Sequence, residues 1–115
     1  KKGYIMKQVT KENVAEYITA IDLDYAEWCN DADIKFTQTE KTIVQDGRNY
    51  IKIVRKMSNG QNTVHSFIVK KATKKFAVGE ILAAASWKAP AVNFARGTVF
   101  DSETWKGRLR WTGIL

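Results

Sequence analysis

The chain has 115 residues, 44% of them hydrophobic and 27% charged, with a single cysteine and a formal net charge of +7. This length predicts one domain with its own core, and the composition argues against a disordered or low-complexity chain. One cysteine, Cys29, excludes an internal disulfide.

The charge is unevenly placed. Residues 11–47 carry three Lys against nine acids, whereas residues 48–115 carry thirteen Lys and Arg against three acids. A chain divided in this way is expected to fold with an acidic and a basic face. A basic face suits a polyanion, nucleic acid first and anionic lipid second. Pairing between the two halves, with the surplus serving solubility, explains the split as well.

In chain order, Thr10 reads as an N-cap whose hydroxyl accepts from the Asn13 amide, with Glu12 in the electropositive first turn. Val14, Ile18, Ile21, Tyr25 and Trp28 follow at helical spacing with Tyr17 beside them, and Asn30-Asp31 reads as a stop. The spacing predicts a helix over 11–29 whose apolar stripe is core. Strand character follows at 34–37 and 42–44, then a hairpin signal at Asp46-Gly47. Residues 49–57 place Ile51, Ile53 and Met57 on one face and Lys52, Val54 and Lys56 on the other. Asn59-Gly60 is a second hairpin signal. Residues 63–70 form the next strand, where Phe67-Ile68-Val69 suits a central position apolar on both faces.

A cationic connection, Lys70 to Lys75, leads through Gly79-Glu80 to a strand predicted over 81–87 and a turn at Lys88-Ala89-Pro90. Ala91 to Ala95 is expected to form a short helix opened by Pro90 and closed by Gly97. Residues 101–104 read as a turn. Residues 108–111 read as a last strand with Leu109 and Trp111 inward. The assembly predicted is α+β: one N-terminal helix packed on a four- to five-stranded antiparallel meander, then a short second helix. Residues 1–115 are expected to form one domain, with 1–9 expected to be extended or flexible. Met6 is a candidate native start.

The runs Gly79-Glu80-Ile81-Leu82, Ala84-Ala85-Ser86-Trp87-Lys88-Ala89-Pro90 and Ala95-Arg96-Gly97-Thr98-Val99 stand out. With Val64-His65-Ser66-Phe67-Ile68 and Thr10-Lys11-Glu12-Asn13-Val14 they cover most of residues 10–101. On these runs the chain resembles a family of small uncharacterised proteins of tailed bacteriophages and related environmental viruses. Residues 101–115 match it less well. The resemblance implies a viral source and an infected-cell cytoplasm, and implies no activity.

Catalysis is poorly provided for. The single histidine, His65, lies mid-strand, and Cys29 has no histidine near it in sequence. No Gly-x-Ser-x-Gly, Walker loop or His-Glu-x-x-His occurs. One Cys and one His cannot build a structural zinc site. Asp22, Asp24, Glu27, Asp31 and Asp33 lack EF-hand spacing and read as a solvated face. No catalytic residue, metal or cofactor is therefore expected. No apolar run approaches the ~20 residues of a membrane span, so no membrane partner is expected either.

The leading reading is a small basic nucleic-acid-binding protein. Its candidate contacts are Lys52, Arg55, Lys70, Lys71, Lys74, Lys75, Trp87, Lys88, Arg96, Arg108 and Arg110. Trp87, Trp105 and Trp111 could stack on bases where exposed, although a core role is favoured for Trp111. The competing reading is a protein-interaction or structural module that binds an acidic protein partner, a host factor or a second copy of itself. Salt dependence separates nucleic-acid binding from a mostly apolar dimer, because phosphate binding weakens steeply with salt and apolar association does not.

Overall fold

The computed structural model describes residues 8–34, 41–57 and 60–115. The strand expected over 34–37 falls almost wholly outside them, as does Asn59 of the second hairpin signal.

Helix α1 spans Lys11–Asp31 and starts where local chemistry dictates. The Thr10 hydroxyl accepts from the Asn13 amide at 3.2 Å, and the Asn13 side-chain oxygen accepts from the Thr10 amide at 3.0 Å. The two residues so satisfy orphan donors of the first turn reciprocally. The helix runs two residues past its expected end and stops at Ala32, before Asp33 in the left-handed region at φ 55°.

The strands are β1 (Lys41–Asp46), β2 (Tyr50–Lys56), β3 (Asn62–Val69) and β4 (Ile81–Ala83), joined in an antiparallel β1-β2-β3-β4 meander. A second, two-stranded sheet pairs β5 (Leu109–Arg110) with β6 (Gly113–Ile114). The fold is thus α+β, with a meander of four strands, the lower of the four to five expected.

One irregularity matters. Ile53 pairs with Ser66 while Val54 pairs with Val64, so His65 is an extra residue in β3. Such a bulge turns two successive side chains to one side. Both His65 and Ser66 reach toward the Tyr17 hydroxyl of α1.

Each face of the sheet has its own core. On the helix face, Val14, Tyr17 and Ile21 pack with Ile51, Ile53, Ile68 and Ile81, and with Val99, Trp105, Leu109 and Ile114 from the returning C-terminal segment. On the other face, Phe67, Val69, Leu82 and Phe76 pack with Tyr50, Val64, Ala84 and Ala95. Phe76, Ala84 and Ala95 thus cover the second face before the chain returns to the first. The apolar run Phe67-Ile68-Val69 is buried throughout, as its central position requires.

The helix stripe is rotated from its expected position. Tyr17 and Cys29 are buried, Ile18 is half-buried, and Trp28 is 42% exposed. Small Cys29 takes the inward place at the last turn. Trp28 instead stacks beside Tyr25, with ring centroids 6.1 Å apart, and lies 5.0 Å from Trp111.

Two expectations near the C-terminus fail for one reason. The strand over 81–87 stops at Ala83, and residues 91–95 form no helix. Ala91 N–H donates to the Ala83 carbonyl at 2.7 Å, and Arg96 N–H donates to the Ile81 carbonyl at 2.7 Å. The backbone of this segment is committed to the outer edge of β4, so it cannot close helical turns on itself. Gly97 is therefore no helix terminator. Its missing Cβ admits Thr104, whose carbonyl oxygen would lie 2.9 Å from such an atom. The second helix among the described residues is a single 3-10 turn at Ser102–Thr104, N-capped by Asp101. As expected, Leu109 is buried; Trp111 is half-buried against the core.

Candidate functional site

The segment from Ala84 to Thr98 builds the most distinctive surface. It runs back along β4, meeting it at Ala84–Pro90 and again at Glu80–Thr98. Between Ala91 and Arg96, which both bond to β4, four residues are extruded: Val92, Asn93, Phe94 and Ala95. Ala95 turns into the second core, while Val92 and Phe94 are exposed. Two cations clamp this loop. Lys75 Nζ donates to the Val92 carbonyl at 2.7 Å, and the Arg96 guanidinium donates to Asn93 Oδ1 at 3.1 Å and to the Phe94 carbonyl. The guanidinium carbon also sits 3.7 Å from the Phe94 ring centroid.

A turn precedes this loop. The amides of Ala85 and Ser86 donate to the Ala89 carbonyl at 3.0 and 3.1 Å, and Ser86 Oγ accepts from the Ala89 amide at 3.2 Å. Trp87 and Lys88 occupy its tip, both exposed. Lys52 of β2 reaches Trp87 from the sheet, with Nζ 3.9 Å from the ring centroid. Lys52 pairs across the sheet with Phe67, which places it on the face away from α1.

The predicted residues therefore divide into four groups. Lys52 meets Trp87, with Lys88 next to it in the turn, while Lys75 and Arg96 meet at the 92–94 loop of the same segment, with exposed Lys74 beside Lys75. Lys70 and Lys71 line a cleft of about 960 Å³ beside the first turns of α1, and Lys70 is paired there with Asp46 at 2.8 Å. Arg108 and Arg110 lie on the C-terminal hairpin. Their guanidinium groups donate to the Leu115 and Leu109 carbonyls at 3.3 and 2.7 Å.

Arg55, the last, is a correction. It is 1% exposed and cannot reach a phosphate. Period-2 alternation puts it on the helix face, where it pairs with Asp22 at 2.9 Å, donates to Thr42 at 2.9 Å and lies 4.7 Å from the Tyr25 ring centroid. Trp105, offered for stacking, is core at 1% exposure. Phe94 is absent from the expected set, because its segment reads as a helix. Its signal is the Asn93 side chain, which bonds its neighbour's amide as turn residues do.

The buried polar cluster offers no atom to a substrate. His65 Nε2 lies 2.7 Å from the Arg110 carbonyl oxygen, which can only accept, so Nε2 carries the proton. Nδ1 then accepts from Ser66 Oγ at 2.7 Å, and the Tyr17 hydroxyl donates to Ser66 at 2.7 Å. Burial, aided by the Arg55 charge, pushes the His65 pKa from 6.5 down to about 4. Burial raises that of Tyr17. A Ser–His hydrogen bond of this length suggests a nucleophile, but both residues are inside the core. Among the described residues no three His, Cys, Asp or Glu side chains gather at a metal-sized site, and no helix is long and apolar enough to cross a membrane.

A model of a family of unknown function, DUF7717, matches residues 2–114. The chain belongs to that family. No curated protein and no solved structure matches this DUF7717 chain.

Proposed function

We propose that this chain is a small non-enzymatic nucleic-acid-binding protein that holds the phosphate backbone on the sheet face opposite α1. The observation that carries the reading is the charge of that face. Of the ten Lys and Arg between residues 47 and 100, Lys52, Lys74, Lys75, Lys88 and Arg96 supply it, whereas Arg55 is buried on the helix face and Lys70 and Lys71 line the cleft beside α1; the one acid of this stretch is Glu80. That carboxylate is turned back to accept from the Ala77 amide at 2.7 Å. Lys75 and Arg96 donate to carbonyl and amide oxygens rather than to carboxylates. Lys52, Lys74 and Lys88 add their charges, while the acids Glu12, Glu16 and Glu27 are exposed on α1, across the sheet. A field of one sign on one face concentrates polyanions and steers them to it. The tailed-phage source and infected-cell cytoplasm belong to the same proposal and rest on the resemblance alone.

The test is binding to a labelled oligonucleotide over a salt series, for the parent and for Lys74→Ala with Lys88→Ala. These side chains are exposed and make no side-chain hydrogen bond among the described residues, so the fold should be untouched. Each phosphate interaction removed should flatten the log–log salt slope by about 0.7 on single strands or 0.9 on duplex. No binding by the parent at low salt would refute the proposal. If sedimentation then shows a concentration-dependent mass, the interaction-module reading takes its place.

A further inference from the structure

We infer that this face takes single-stranded rather than duplex nucleic acid, with Trp87 and Phe94 as two platforms for unpaired bases. The inference rests on the nucleic-acid reading and names its substrate class. Duplex presents phosphates and groove edges, and its base faces are already stacked. Single strands present base faces, which stack on aromatic side chains with little regard to sequence.

Three features of the rings suit that task. First, both are open to solvent: Trp87 is 42% and Phe94 49% exposed. One exposed aromatic needs no explanation. Two, on neighbouring turns of one basic face, are what a single strand requires.

Second, neither ring is on a loose loop. Trp87 tips a turn closed by three hydrogen bonds around Ala89 and Ser86. Phe94 tips a loop anchored at Ala91 and Arg96 on β4 and clamped by Lys75. Less ordering is then left to the moment of binding.

Third, each ring carries a cation at one face, Lys52 at 3.9 Å from Trp87 and Arg96 at 3.7 Å from Phe94. The cation packs on the ring, which still keeps close to half of its surface in solvent. It also sets a positive charge within reach of the phosphates that flank a stacked base. Phe94 follows Trp87 by seven positions, so their Cα atoms lie at most about 25 Å apart. That fits a footprint on the order of 4–16 nucleotides.

The experiment compares a labelled oligothymidylate of about 12 nucleotides with a hairpin duplex of equal phosphate count. Fluorescence anisotropy is read over a salt series for the parent, Trp87→Ala, Phe94→Ala and Phe94→Leu. The leucine variant keeps apolar bulk beneath Arg96 and removes only the π face, so it guards against a collapsed loop. Thermal unfolding is measured on each. The expected result is tighter binding of the single strand by the parent. Each ring removal should weaken that binding about tenfold, Phe94→Leu included, with salt slope and unfolding midpoint unmoved. Equal parent affinity for both probes, or equal losses on both, overturns the inference while a steep salt slope keeps the nucleic-acid reading. Absence of binding to either probe overturns both. So does binding only to vesicles of mixed phosphatidylserine and phosphatidylcholine, which would assign the aromatic and basic face to an anionic lipid surface.

Discussion

His65 should make the stability of this protein fall as the pH drops, with a size and window set by its surroundings. It is held neutral between Ser66 and the Arg110 carbonyl, and its pKa lies near 4 against 6.5 in the unfolded chain. The folded state therefore binds the proton less readily than the unfolded state. The stabilisation is complete above pH 6.5 and is lost as pH falls toward 4. At about 1.4 kcal/mol per pH unit, that window corresponds to a loss of about 3 kcal/mol, a large share of a small domain's stability. Carboxylates titrate at its lower end, so the informative quantity is the parent minus His65→Gln, whose amide can still donate to Arg110. Urea unfolding across about pH 4 to pH 8 should give a difference that narrows steadily below pH 6.5. Because His65 is the only histidine, its imidazole proton resonance can be followed directly. A titration midpoint near 6.5, or parallel stability curves for parent and variant, would refute this account of the buried cluster.

Replacing Arg55 with Ala should cost about 2–3 kcal/mol by thermal or denaturant unfolding. It removes a buried ion pair and the packing of the stem, although half-exposed Asp22 can rehydrate. Gly79→Ala should lower the unfolding midpoint by several degrees. Gly79 has φ +91°, and a Cβ there would lie 2.4 Å from the Phe100 ring. Tyr17→Phe should cost about 1–2 kcal/mol, because Ser66 loses its donor inside the core. Cys29, 1% exposed, should resist a thiol reagent in the folded protein and react fully in denaturant, which makes its labelling rate a measure of opening.

What the sequence made legible was local. The Thr10 cap, the helix it opens and the β1–β2 turn depend on residues a few positions apart, and they lie as expected. What was hidden depends on distant partners. Ala91 to Ala95 has helical composition, yet the free edge of β4 offers its backbone a better arrangement. The bulge at His65 exists only in the register against β2. Arg55 sits in an alternation that was visible, with Ile51 and Ile53 on the same side. Its charge alone predicts solvent, and only the fold supplies Asp22, Thr42 and Tyr25 as its partners inside. The candidate surface was half legible for the same reason. Trp87 and Lys88 are adjacent in sequence, whereas Lys52 and Phe94 join them only through the sheet and the extruded loop.

That loop also separates what the chain must keep from what it can vary. Its anchors, Ala91 and Arg96, fix the register along β4, and the four residues between them contribute one side chain to the core, Ala95. Residues added or exchanged between Val92 and Phe94 would change the outward profile while the strand pairing beneath stayed the same. Lengthening such a segment is thermodynamically cheap, since each doubling of a loop costs about 0.6 kcal/mol. The fold so carries a place where its outer surface can diversify independently of its stability, and a longer or differently charged tip can be grafted there without redesign of the sheet.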